Sequence, residues 1–182
     1  MAVGGSGDQD EALNEAEIIA EVEADDAARQ AMPLKSIGLS ALGVMLAITL
    51  MSQFADLVSM PLVLASFGST GVLVFVYPDL PFSQPRNVVL GHFFCSLVGL
   101  IFLAVCGPHG WSMGLATGAA IGVMALTRTI HPPACSNPII VFLTQPGWDF
   151  LLYPTLTGAL VVTIFALLYN HLAGKWTFAK YW

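Results

Sequence analysis

Long apolar runs separated by short polar clusters dominate the chain from about residue 36 onward. About 20 apolar residues span the hydrocarbon core of a bilayer, and three stretches reach that length: residues 36–55, 88–106 and 150–172. A fourth, residues 111–126, is shorter but consists almost wholly of Gly, Ala and aliphatic residues. Within it Gly114, Gly118 and Gly122 recur every four positions on one helical face, a spacing that lets a second helix approach closely. Tight helix packing is therefore expected there.

Two more stretches are apolar but broken. Residues 57–77, "LVSMPLVLASFGSTGVLVFVY", carry Pro61 and then Gly68-Ser69-Thr70-Gly71, while residues 132–143, "PPACSNPIIVFL", are too short to cross as a regular helix. Breaks of this kind free backbone groups that hydrocarbon cannot satisfy, so they persist only where protein buries them or water reaches them. The two breaks also match each other: "GSTGVLVF" from Gly68 and "CSNPIIVF" from Cys135 lie 67 residues apart, and at the same offset Gly91 falls on Gly158. The expected fold is an all-α polytopic membrane protein of two repeats. Each repeat is helix, broken segment, helix, over about residues 36–106 and 110–172, giving four full spans plus two broken segments that cross or re-enter.

Charge divides the chain. The 182 residues carry a net charge of −6 and only 10 % are charged, far below the roughly 25 % of a soluble domain. Nine of the twelve acids fall in residues 1–34 beside the single base Arg29, so residues 35–182 are slightly basic. Residues 1–34 have neither the basic start of a secretory signal nor the Arg/Ser-rich character of a transit peptide. An acidic, solvated tail is expected there, then a single transmembrane domain over 35–174 and a short tail over 175–182. Lys35 precedes the first span and Lys175 and Lys180 follow the last, so the positive-inside rule places both termini in the cytoplasm. If both broken segments cross, Arg86 and Arg128 also fall inside; if both re-enter, those arginines face out.

Polar groups are few enough to name. Asp79, Gln84, Arg86, Asn87 and His92 follow the first break, and Thr127, Arg128, Thr129, His131, Ser136 and Asn137 surround the second. An arginine near membrane depth is costly unless paired or wet, so two of them beside two breaks mark a candidate site. Pro132 and Pro133 suit the first turn of a helix whose free N–H groups and positive end would face the other repeat. The backbone of Gly68, Ser69, Thr70 and Gly71 could present amides in the same way. Substrate binding is thus assigned to Gly68, Ser69, Thr70, Gly71, Arg86, Asn87, Arg128, His131, Pro132, Pro133, Ser136 and Asn137. Asp56, Asp79 and Asp149 sit at segment ends, which leaves His131 or His92 to carry any proton. Cys95, Cys106 and Cys135 show no metal-ligand spacing, and no nucleophile–base–acid arrangement appears, so neither cofactor nor enzymatic activity is expected.

The motifs "FGSTGVLVF", "SQPRNVVLGH" and "HPPACSNPIIVF", spread from about Pro33 to Tyr169, resemble the integral-membrane HPP family, whose defining motif stands here as His131-Pro132-Pro133. Members commonly have Gly-Ala where this chain has Cys135-Ser136. The family is usually described with four transmembrane helices. Plant chloroplast members and cyanobacterial relatives are associated with nitrite transport, so the resemblance implies transport of a small inorganic anion across a lipid bilayer. A bacterial inner membrane is the expected location, the chloroplast envelope being that of plant relatives. Nucleic acid is excluded as a partner, and a homo-oligomer is compatible with the glycine face. Two other classes fit the composition: a membrane interaction protein without transport, and a conduit for a neutral small solute.

Overall fold

The structure, a computed structural model, describes residues 33–58, 63–174 and 179–180. The acidic stretch, Pro61 and Lys175 lie outside the described residues. By contact density the chain divides into two units, Met1–Leu34 and Lys35–Trp182. The described residues of the second unit form helices and turns without strands. In chain order these are α1 (Leu34–Val58), α2 (Ser66–Gly71) running into a π turn (Val72–Val76), a 3-10 turn (Pro81–Ser83), α3 (Pro85–Cys106) and α4 (Gly110–Thr127). A 3-10 turn (Pro132–Ser136) then leads into α5 (Asn137–Thr144), and irregular turns over Trp148–Leu156 lead into α6 (Thr157–Leu172).

Each boundary has a local cause. Pro85 opens α3, where its missing N–H costs nothing, and Gly107 closes it with φ of 72°. Ser112 and His109 form a capping box at the start of α4. That helix ends in a Schellman turn: Arg128 adopts the left-handed conformation with φ of 55°, and the Thr129 N–H donates to the Met124 carbonyl at 2.9 Å.

Among the described residues, four helical stretches are long and apolar enough to cross a membrane: Leu34–Leu57, Pro85–Cys106, Gly110–Thr127 and Trp148–Leu172. Their surfaces are inverted relative to those of a soluble bundle. Leu42, Met45 and Leu50 of α1 and Ile164 and Leu168 of α6 are exposed, while Ser40, His92, Ser96, Thr163 and Asn170 are buried. Water would penalise so much exposed apolar surface, whereas lipid does not. The chain is an integral membrane protein.

α3 is the central element, packing against α4, α5, α6 and the turns beside them. Two of its glycines admit the second broken segment: a Cβ on Gly91 would lie 2.8 Å from that of His131, and one on Gly99 would lie 2.9 Å from the Cα of Pro138. The first broken segment runs antiparallel to α1, since Ser40 bonds the Phe75 carbonyl and Gly71 sits against Val44. Phe67, Val74, Phe75, Val88, Val141 and Val162 fill the core between these elements. Helix α4 meets α3 through Ala120 and Met124, packed with Cys95 and Ala134. Its glycine face does not take part, because a Cβ on Gly114, Gly118 or Gly122 would meet nothing within 4 Å. The expectation of tight packing at those glycines is not met among the described residues; close approaches are made instead at Gly91 and Gly99 of α3 and at Gly43 of α1, where a Cβ would lie 2.8 Å from the Phe75 ring.

Candidate functional site

Around the π turn of the first break, side chains from elsewhere donate to backbone carbonyls. Ser83 Oγ donates to the Leu73 carbonyl at 3.1 Å, Asn170 Nδ2 to that of Val74 at 2.9 Å and Ser40 Oγ to that of Phe75 at 2.9 Å. The second break is managed differently. Pro132 and Pro133 have no N–H to satisfy, the Ala134 N–H donates to the His131 carbonyl, and that of Asn137 to the Ala134 carbonyl. This corrects the expectation that the second break opens a row of free amides: prolines remove two and turn bonds occupy two more.

Between the breaks runs a chain of buried polar side chains. Ser66 Oγ donates to Asn137 Oδ1 at 2.9 Å, and Asn137 Nδ2 lies 3.1 Å from His92 Nδ1, 3.3 Å from the His92 carbonyl and 2.9 Å from Ser96 Oγ. Ser96 in turn meets Thr155 Oγ1 at 2.9 Å. Thr70 Oγ1 lies 3.0 Å from His92 Nε2 and 3.0 Å from His131 Nε2, and the other nitrogen of His131 is 2.7 Å from the Phe82 carbonyl. Thr70, His92, Ser96, His131, Asn137 and Thr155 are all fully buried.

On the outer side of this chain the breaks border an open cleft of about 520 Å³ lined by Ser69, Val72, Leu73, Pro132, Pro133 and Ser136. Ser69 donates its hydroxyl to the Ser66 carbonyl at 3.0 Å and Ser136 to the Pro133 carbonyl at 2.8 Å. Either hydroxyl would have to rotate to donate to a ligand. Among the described residues, no group of three or more His, Cys, Asp and Glu converges as a metal site would require.

The arginines occupy one edge. Arg86, half-buried, donates to the Thr127 carbonyl at 3.2 Å, capping the C-terminus of α4 where a cation is favoured. Exposed Arg128 is the next residue in the chain. Asn87 Nδ2 ties the Pro81 and Ile130 carbonyls at 3.0 and 3.2 Å. Of the assigned site residues, Ser69, Pro132, Pro133 and Ser136 share the cleft; Thr70, His131 and Asn137 lie behind it in the buried chain. Arg86, Asn87 and Arg128 form the edge, Gly68 is exposed and Gly71 is packed against α1.

The description "HPP, transmembrane region" matches residues 29–178. The chain belongs to the HPP transmembrane family. Two transmembrane proteins of Dictyostelium discoideum are similar to it, one 31 % identical over 131 residues and the other 32 % identical over 127. The matches cover 68 % and 65 % of this chain but 46 % and 41 % of those proteins, so the chain corresponds to less than half the length of these relatives. No solved structure matches.

In this HPP protein the three motif residues divide between two surfaces: His131 is buried in the polar chain, while Pro132 and Pro133 border the cleft. Sequence reasoning omitted Ser66, Ser96 and Thr155 from the site. Ser96 was within reach, because it lies one helical turn beyond His92 on a helix with few other polar residues. Ser66 offered the same signal, one helical turn before Thr70, whose Oγ1 lies 3.1 Å from its carbonyl, whereas Thr155 carries none, being joined to the site by a contact 59 residues away in sequence.

Proposed function

We propose that this HPP protein carries a small monovalent anion, nitrite foremost, through a path at the cleft between its two broken segments. The observation carrying this reading is the convergence of both breaks on one cleft backed by a buried polar chain, in a protein with few other polar groups. Arg86 and Arg128 would draw anions to that edge, with Ser69 and Ser136 meeting them inside. Positions 67 residues apart play paired parts, which supports the internal repeat: Ser69 and Ser136 line the cleft, and Thr70 and Asn137 hold the two nitrogens of His92.

Both broken segments cross the bilayer in this proposal. The antiparallel course of α1 and α2 supports it, as does the shared surround of Val63, Leu64, Thr144 and Asp149 at one end. The repeats are then inverted, an arrangement suited to alternating access about a midplane site. With both termini cytoplasmic, the arginine edge faces the cytoplasm. The buried hydroxyls and imidazoles serve passage and have no catalytic role.

The test is nitrite uptake by purified protein in proteoliposomes under an imposed potential or pH gradient, with nitrate, chloride and formate as competitors. Protein-free liposomes control for leakage of nitrous acid. Saturable uptake that Ser136→Leu blocks and Arg128→Gly weakens supports the reading; glycine removes the charge while suiting the left-handed backbone at that position. No flux above leakage for any anion overturns it. The outward glycine face of α4 favours a second reading, an interaction protein that self-associates through Gly114, Gly118 and Gly122. It predicts that Gly118→Ile changes the oligomeric state and that no anion flux exists.

A further inference from the structure

The polar chain has a direction that geometry fixes. Asn137 Oδ1 accepts from the Ser66 hydroxyl, and Asn137 Nδ2 faces the His92 carbonyl, which can only accept. The amide nitrogen therefore faces His92 Nδ1 at 3.1 Å, so that nitrogen is bare and a neutral His92 carries its proton on Nε2. The Nε2–H group donates to Thr70 Oγ1. His131 has the opposite tautomer: its Nδ1 faces the Phe82 carbonyl and carries the proton, leaving Nε2 to accept from the Thr70 hydroxyl. Neutral, the chain reads His92 to Thr70 to His131 to the Phe82 carbonyl, every bond having one donor.

An added proton meets two different receptions. On His92 Nδ1 it would confront the Asn137 amide nitrogen, and turning that amide would break its bonds to Ser66 and to the His92 carbonyl. On His131 Nε2 it requires only that the Thr70 hydroxyl rotate. The Ser66 carbonyl lies 3.1 Å from Thr70 Oγ1, ready to take that hydrogen. Thr70 then accepts from both imidazoles and donates to Ser66, and no polar group in the chain loses a partner.

We propose that His131 Nε2 is the proton-binding site of this protein, that the Thr70 hydroxyl is its two-position switch, and that His92 remains a neutral donor. Among the described residues the charged form of His131 has no opposite charge bonded to it. His92 faces it across 5.1 Å between ring centres; Asp79 and Tyr77 stand on the loop that supplies Phe82, Arg86 on α3, Arg128 three residues before it, and Cys135 on the following turn. Among the described residues no carboxylate bonds to it. A buried imidazolium without a counter-charge is costly, and the cleft bordered by Pro132, the next residue, and Ser69, the neighbour of Thr70, offers a place for one. Proton and anion would then each raise the other's affinity, as linkage demands, giving co-transport of the two. This coupling rests on the proposed anion transport; the proton site does not.

The test is histidine-selective ¹⁵N NMR of the full chain in lipid nanodiscs, with His109→Gln and His171→Gln removing the other two histidine signals. The expected spectrum has His92 protonated at Nε2 and His131 at Nδ1, and acidification produces imidazolium at His131 alone. Nitrite raises that population at a given pH. Thr70→Val lowers it about tenfold, because a charged donor loses more than a neutral acceptor when the hydroxyl goes; Thr70→Ser restores it. The same tautomer on both rings, first titration at His92, or no effect of Thr70→Val in a folded protein overturns the proposal. If His131 titrates as described while no anion moves in proteoliposomes, the transport reading fails and the proton site stands. Flux without the His131 signal has the reverse meaning.

Discussion

The two broken segments solve one problem in different ways. In the first, the backbone keeps its amides through a short α-helix and π turn, and Ser83, Asn170 and Ser40 reach in to donate to the Leu73, Val74 and Phe75 carbonyls. In the second, Pro132 and Pro133 remove donors altogether, a 3-10 turn takes up much of what remains, and the chain lies directly against the glycines of α3. The first break thus depends on distant polar side chains and the second on close backbone approach. A bilayer permits either remedy, since all it demands is that no exposed backbone group go unpaired. The two breaks meet where Asn137 accepts from Ser66 and where Thr70 faces His131.

That contrast ranks the consequences of substitution. Asn137→Ala should be most damaging, because it strands Ser66, His92 and Ser96 together in the interior; a loss of about 3 kcal/mol is expected, read as a lowered unfolding midpoint in detergent. Next comes Gly91→Ala, whose Cβ would press on the His131 Cβ and, at 3.1 Å, on the Thr129 carbonyl. Overpacking there should cost about 2 kcal/mol, and a tolerant response would mean the second break does not need close approach. Asn170→Ala tests the first break. Polar contacts in membrane proteins average less than 1 kcal/mol, so a loss of about 1 kcal/mol with faster amide exchange near Val74 is the expected result. The smallest effect belongs to Gly118→Ala, within about 0.5 kcal/mol for the isolated chain; a larger loss measured at high protein concentration would expose an interface on α4.

Much of this division was legible from local chemistry. The apolar runs located four spans, with boundaries shifted by only a few residues, and Pro and Gly marked where regular helix would fail. Glycine spacing was a poorer guide. Gly114, Gly118 and Gly122 form the more conspicuous pattern, yet Gly91 and Gly99, eight residues apart, are the ones that other backbone approaches. Spacing reports which glycines share a face and carries no information on which face is covered. The arginines were misread in a similar manner, each matched with its own break, because proximity in sequence concealed that Arg86 reaches across to the Thr127 carbonyl, beside Arg128.

Composition and hydropathy by themselves determined that this chain lives in a bilayer, and the offset of 67 residues suggested that its two halves correspond. Those are properties of transfer free energy and of pattern, summed or compared along the chain without reference to its path. Which histidine nitrogen holds a proton was decided only by tertiary structure. His92 and His131 are the same residue type, both fully buried, and differ because one ring meets an amide nitrogen from 45 residues away and the other a carbonyl from 49. Hydrogen-bond direction depends on which atoms face each other, and the fold alone sets that.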